Sequence, residues 1–334
     1  MAMNRWLAAP ALALVLAACG GGSGGGSAAV VVPTGVRAGS ASSGSDLTLA
    51  NAGSFAGVMA RAVMSGADDS VPGVSGTRES PQSRTMIAAL SHAHWTTLLA
   101  ITSRTMVSGR EQSQATSPPV ALPCLSGSGS ITVNDADNNQ KLSAGDSASI
   151  VFNACVLEAG LPAVTGSISF TVNAIELDAN EEPSALDASM TLGGFAESGF
   201  GSLSGAFRIW FKEETPTSTR QRVSYLAASL IEQAQTLTYD FDVYGVFGSA
   251  GGTFDLNGSI VIGGNTYAMS TPTLFSNAPG ALPNVGALVL RDATGDQVIL
   301  RARSATTFDL EFQAAGAATP TVVSPGLLWN SYKL

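Results

Sequence analysis

The sequence predicts a mainly β protein, a long antiparallel meander forming a curled sheet or open barrel, with two helices ahead of it. Three observations carry that prediction. After Cys124 the apolar residues recur at every second position, as Tyr239, Phe241 and Val243 do against Asp240 and Asp242. The intervening segments are short and rich in Gly, Asn, Asp and Pro, the chemistry of hairpin turns. Upstream of Cys124 the apolar spacing is three and four residues instead, which is the helical period.

Taken in order, residues 1–18 read as a secretory signal. Arg5 supplies the positive charge and the apolar run from Leu7 to Ala18 is too short to span a bilayer, which takes about 20 residues. The run ends in Leu16-Ala17-Ala18-Cys19, which resembles the lipobox of bacterial lipoproteins. That resemblance implies cleavage before Cys19, a diacylglyceryl group on its sulfur and acylation of the new amine. Two or more acyl chains, at about 0.8 kcal/mol per buried methylene, attach a protein firmly without a spanning helix. Gly20, rather than Asp, follows the cysteine, and by analogy with family sorting this implies the outer membrane, facing the periplasm or the cell surface.

Residues 19–45 are rich in Gly and Ser and read as a flexible tether that buries no core. Within it, Gly21-Gly22-Ser23-Gly24-Gly25 matches a hydrolase nucleophile-elbow pattern, but the strand before and helix after that the motif requires are missing. Residues 46–110 are helical. Phe55, Val58, Met59, Ala62 and Val63 share one face, with Gly66 as the stop, and a second helix runs over 84–104. Residues 111–123 form a linker closed by Pro118-Pro119, and 124–334 is the antiparallel β domain. Its candidate strands are 128–133, 148–153, 166–172, 186–192, 205–212, 223–230, 236–244, 252–262, 265–271, 287–290, 297–303 and 307–313. Several open on a small motif, Gly166-Ser167-Ile168 and Gly205-Ala206-Phe207 among them, at irregular intervals that fit a meander rather than a solenoid. A transmembrane barrel would need strands of about 9–11 residues with aromatic girdles. Most candidate strands are shorter and aromatics are 7% of the chain, so that reading is set aside.

Charge and cysteine content narrow the function classes. The chain carries 25 acidic against 16 basic residues with no basic stripe, which excludes nucleic acid as a partner. Of three cysteines, Cys19 goes to lipid, leaving Cys124 and Cys155 as one structural disulfide in an oxidising compartment. Closing a loop of about 30 residues stabilises a fold by roughly 3–4 kcal/mol in the chain-entropy model.

One stretch carries recognisable chemistry. Asp135 to Asp146 resembles the calcium loop of EF-hands, with Asp135, Asp137 and Asn139 at the first three alternating ligand places. The resemblance implies a backbone carbonyl from Lys141, a direct or water-mediated contact from Ser143, and the closing carboxylate from Asp146. Calcium suits this set as a hard cation that takes six to eight oxygens. Gln140 stands where the turn wants glycine, and Asp146 is shorter than the usual Glu. Because the flanks are strands, this would be a calcium loop closing a β-hairpin, with Cys124 and Cys155 clipping its open end. The other reading is a polar, solvated turn.

The remaining candidates point away from catalysis. His92 and His94 lie two apart on a helix and so face different ways. Asp240 and Asp242 share one side of a strand, a pair that suits glycoside hydrolysis or the wet face of a sheet. Arg301 and Arg303 can meet Asp309 and Glu311 across a hairpin. Trp210 sits between Arg208 and Lys212, where it can stack on sugar, rest on lipid headgroups or be covered by a helix, the last being expected. The expected function is thus a non-enzymatic, membrane-anchored envelope lipoprotein with a structural or protein-interaction role. The alternative is a carrier or sensor holding an apolar ligand between sheet and helices, an arrangement similar to the lipoprotein-localisation carriers. An envelope hydrolase using Asp240 and Asp242 ranks third.

Overall fold

In a computed structural model the described residues are 29–31, 37–42, 46–67, 116–157, 163–179, 183–197, 201–215, 217–232 and 235–332. The leader, Cys19, the two histidines and the second expected helix lie outside them.

The alternating pattern folds as one antiparallel sheet in which every strand pairs with its neighbours in sequence. The strands are β1 (Val120–Ala121), β2 (Ser126–Asn134), β3 (Ser147–Val156), β4 (Val164–Leu177), β5 (Pro183–Glu197), β6 (Ser202–Thr215) and β7 (Ser218–Glu232). They continue as β8 (Gln235–Gly248), β9 (Gly251–Ile262), β10 (Asn265–Asn277), β11 (Val285–Arg291), β12 (Gln297–Ser304), β13 (Thr307–Gln313) and β14 (Thr321–Leu328). Each of the twelve expected strands falls inside one of these, and β1 and β14 are additions. The sheet does not close, since β1 pairs only with β2 and β14 only with β13.

The strands from β4 to β8 run 14 or 15 residues, longer than the sequence pattern suggests. Bulges let them continue across register shifts: Ala227 adopts φ 56° between the Ser224 and Ala228 pairings of β7 with β8. The Gly-Ser-Ile and Gly-Ala-Phe openings mark similar kinks. Gly205 has φ 124°, and a Cβ there would lie 2.7 Å from the Cα of Ala228 on the next strand. Strand length therefore does not argue against a spanning barrel. The open edges do, together with the charged outward row of Glu176, Asp187, Arg208, Lys212 and Asp240.

One face of the sheet, the inner face, holds the core. Its inward residues, from Ile131 on β2 to Leu310 on β13, form a single contiguous apolar cluster. A short 3-10 turn (Ala52–Phe55) leads into helix α1 (Ala56–Ala67), which lies within that cluster and is buried around most of its circumference. An amphipathic surface helix would keep one wet side; this one is enclosed. Gly66 does not stop the helix as expected. It belongs to the last turn, where a Cβ would come within 2.6 Å of the Phe254 ring, so glycine lets helix and sheet approach. Phe55 meets Tyr267 edge-on at 5.2 Å, and the Phe247, Phe254 and Phe275 rings stack along the sheet beside the helix.

Part of the stretch read as tether is bound to the opposite, outer face. Val30 donates its N–H to Glu176 Oε1 at 2.9 Å and packs against Ala174, Ala185, Trp210 and Tyr244. Arg37 pairs with Asp240 at 2.9 Å, Ser40 N–H donates to Ser259 Oγ at 2.9 Å, and Ser42 N–H to the Thr266 carbonyl at 3.1 Å. Residues 37–42 thus follow the outer face from β8 to β10. Leu47 N–H then donates to Asp292 Oδ2 at 2.7 Å in the β11–β12 turn, and the chain enters the inner face as α1. The N-terminal segment clasps the sheet on both faces around one end. The 135–146 loop sits at the other end, called here the loop end, together with the β4–β5 and β8–β9 turns.

Candidate metal centre

The β2–β3 hairpin is closed at both extremities. Cys124 and Cys155 are bonded at one, as expected. At the other, the 135–146 loop is fastened to β4 by Gly145 N–H donating to the Val172 carbonyl and Val172 N–H to that of Asp146, both at 2.8 Å. Leu142 turns in from the middle of the loop to pack against the core.

Within the loop, local chain chemistry gathers three carboxylates. Asp135 accepts the N–H groups of Asn139 and Gln140 at 3.1 and 2.7 Å, which coils the chain back over its side chain. Asp146 accepts Ala136 N–H at 2.8 Å and Ser143 N–H at 2.6 Å. Asp137 accepts Asn139 Nδ2 at 2.8 Å and the Ser143 hydroxyl at 3.1 Å. As a result one oxygen each of Asp135, Asp137 and Asp146 lie within 4.8 Å of one another, two of the three side chains being buried. At that separation an ionised pair repels by about 1 kcal/mol even with the screening of bulk water, and more where water is excluded. Burial holds the Asp146 carboxyl above its ordinary value and Asp135 adds repulsion, against the lowering effect of the Ala136 and Ser143 hydrogen bonds. A carboxylate offers about four lone-pair sites, so these groups keep acceptor capacity beyond the bonds named. Three carboxylates and a hydroxyl in reach of one point are a donor set for a hard divalent cation.

The six expected ligand residues do not behave alike. Asp135, Asp137, Asp146 and Ser143 converge. Asn139 Oδ1 accepts the Lys141 N–H at 2.6 Å and its amide nitrogen donates to Asp137 Oδ2 at 2.8 Å, so it braces the turn beside the cluster. Lys141 serves the loop through that same N–H. The glycine missing from the sixth place has a structural counterpart: Gln140 itself adopts φ 62°, the left-handed conformation that glycine takes there at little cost.

Other candidates resolve into structural roles. Arg301 pairs with Glu311 at 3.1 Å and Arg303 with Asp309 at 2.7 Å, across β12 and β13 as their alternation suggests. Asp240 is engaged by Arg37. Trp210 is 1% exposed, but its cover is Val30 of the N-terminal segment and not a helix, because β6 turns it to the outer face while α1 occupies the inner one. The attachment of Val30 and of residues 37–42 to the outer face is what the tether reading missed. Two signals could have shown it: the Val30-Val31-Val32 run, and Arg37, a lone charge in a Gly/Ser-rich stretch. No family model, curated protein or solved structure matches this chain.

Proposed function

We propose that the protein is an exported, lipid-anchored scaffold of the bacterial cell envelope, non-enzymatic, in which calcium stiffens the β2–β3 hairpin. The observation that carries this reading is the construction of that hairpin, with a disulfide at one end and three converging carboxylates at the other. Disulfides persist in oxidising compartments, and calcium loops of modest affinity suit the extracellular concentration of the ion. In this reading the Cys19 sulfur bears the diacylglyceryl group, the anchor is sorted to the outer membrane, and the partner is another envelope component. Calcium, when bound, would be held by Asp135, Asp137 and Asp146, with Ser143 beside them, and would neutralise the carboxylates that now repel.

Two further observations favour a scaffold over the alternatives. Helix α1 fills the inner face opposite β9, where a carrier would hold its apolar ligand. The ion pair of Asp240 with Arg37 suits a structural row better than a hydrolytic pair. The test is intact-mass analysis of the protein isolated from membranes. A mature chain beginning at Cys19 with acyl mass and one disulfide is the expected result; an unmodified leader, or a mature end without acyl mass, would refute the placement.

A further inference from the structure

We propose that the outer face over β7 to β10 is a receptor for a short arginine-bearing peptide of a partner protein, and that residues 37–42 are its built-in competitor. This supplies the kind of partner that the scaffold reading leaves open, and it rests on that reading. Three bulges of one design carry the inference. Ala154 on β3, Gly194 on β5 and Ala227 on β7 have left-handed φ values of 48°, 57° and 56°. Each gives its N–H to a side chain of the following strand: Thr165 Oγ1 at 3.4 Å, Ser204 Oγ at 2.9 Å and Asp240 Oδ1 at 3.4 Å. A hydroxyl suffices to hold such a bulge, as the first two show. The third uses a carboxylate, which leaves charge and further acceptor capacity on the outer face. The same bulge skips Tyr225 in the pairing of β7 with β8. Its carbonyl and Asp240 Oδ1 together take the Arg37 guanidinium, at 2.8 and 2.9 Å.

Beyond the arginine the fit is steric. A Cβ on Gly39 would lie 2.1 Å from the Gly258 carbonyl oxygen and 3.0 Å from Met269 N, so only glycine passes over β9 there. Ser40 then donates its N–H to Ser259 Oγ at 2.9 Å, and the Ser259 hydroxyl donates back to the Ser40 carbonyl at 3.1 Å. The surface thus reads Arg-x-Gly-Ser. Two features point to an occupant from another chain. The first is the grip on the clasp: Val30 and Leu47 are 4% and 1% exposed, whereas the Arg37 and Asp240 side chains between them are 30% and 45% exposed. The second is charge. Asp242 and Asp255 lie beside Asp240 on the same outward side of β8 and β9. Burial holds the Asp255 carboxyl above its ordinary value and Asp242 adds repulsion, against the lowering effect of Asn257 and Arg222. To these three carboxylates residues 37–42 bring a single cation, so a more cationic segment is the better complement.

The experiment uses the full chain in detergent and a fluorescent peptide of residues 36–43, Val-Arg-Ala-Gly-Ser-Ala-Ser-Ser. Arg37→Ala with Gly39→Ala in the chain empties the receptor, because the added Cβ cannot pass Gly258. The peptide should bind this variant about tenfold more tightly than the unsubstituted chain, whose tethered competitor is present at an effective concentration of order millimolar. Adding Asp240→Asn to the variant, or replacing the peptide's arginine with glutamate or its glycine with alanine, should weaken binding roughly fivefold or more. No saturable binding to the emptied chain up to about a millimolar, or equal binding of the arginine and glutamate peptides, would overturn the proposal. Should the variant fold poorly, the peptide at a few times that effective concentration should quicken hydrogen exchange at the Ser40 and Ser42 amides of the unsubstituted chain. Unchanged exchange would overturn the proposal in that case. Intact mass of the same sample tests the anchor separately: a chain without acyl mass that still binds the peptide refutes the placement and leaves the receptor standing.

Discussion

Two acidic turns at opposite ends of the sheet solve the same local problem with opposite electrostatics. In the β11–β12 turn a single buried carboxylate, Asp292, accepts the N–H groups of Thr294, Gly295, Asp296 and Leu47 and the Thr294 hydroxyl. Burial alone would raise its pKa, but those donors, Leu47 foremost, pull it below the ordinary value. In the 135–146 loop the donors are shared among three carboxylates, and Asp146 is held above its ordinary value. Buried acid is common to both. The difference lies in the ratio of donors to charge: the first turn is complete as it stands, whereas the second leaves negative charge that a cation would neutralise. Counting aspartates in a turn therefore says little about metal binding until their hydrogen-bond donors are counted too.

The largest effect should come from breaking the self-sufficient turn. Asp292→Ala would leave the N–H of Leu47 and the turn amides without their acceptor and loosen the clasp where it rounds the sheet. A loss of about 3 kcal/mol in denaturant unfolding is expected, since a buried unpaired donor costs roughly 1–3 kcal/mol. Calcium response should be retained in that variant. A loss below about 0.5 kcal/mol would mean that the turn does not depend on its carboxylate.

Adding and removing calcium probes the other turn. Calcium at a hundred times its dissociation constant should stabilise the protein by about 2.7 kcal/mol, read as a melting temperature that falls when chelator is added. Asp135→Ala should abolish the response. If melting of the unsubstituted protein ignores both calcium and chelator, the loop is a polar turn and no metal centre.

Acid should separate the two turns by sign. For Asp292, as for Asp187 with Arg208 and Asp309 with Gly326 N–H and Arg303, the folded pKa lies below the unfolded one. Their contribution is complete above the unfolded value and is lost as pH falls through the folded value. For Asp146 the folded pKa lies above its reference of 3.8. In chelator, stability should therefore first rise as pH falls through that raised value, then decline at lower pH as the others protonate. With calcium bound, Asp146 stays ionised, and the early rise should vanish. Denaturant midpoints measured across pH with and without chelator would show it.

The smallest effect concerns the missing glycine. Gln140→Gly relieves a left-handed backbone at φ 62° and should stabilise the protein by up to about 1 kcal/mol while preserving the calcium response. A destabilised variant would show that the glutamine side chain contributes more than its backbone strain removes.

How far the sequence reaches depends on the range of the interaction involved. Strand positions from β2 to β13 were legible because side-chain alternation is a property of each strand alone. The disulfide was legible because two cysteines remained to be paired, and the carboxylate cluster because its residues lie within one turn of chain. Strand lengths were not, since bulges such as the one at Ala227 carry a ladder past residues that look like turns.

What the sequence alone determined, then, is the local part of this protein: alternation, turn chemistry, the pairing of Cys124 with Cys155, and the gathering of Asp135, Asp137 and Asp146. Tertiary structure decided that the sheet stays open, that α1 lies enclosed on the inner face with Gly66 against Phe254, and that Val30 covers Trp210 while residues 37–42 follow the outer face. Those outcomes depend on contacts across more than a hundred residues, such as Val30 with Glu176 or Ser40 with Ser259. No periodicity encodes such a contact, because neither partner's neighbours reveal what it will meet.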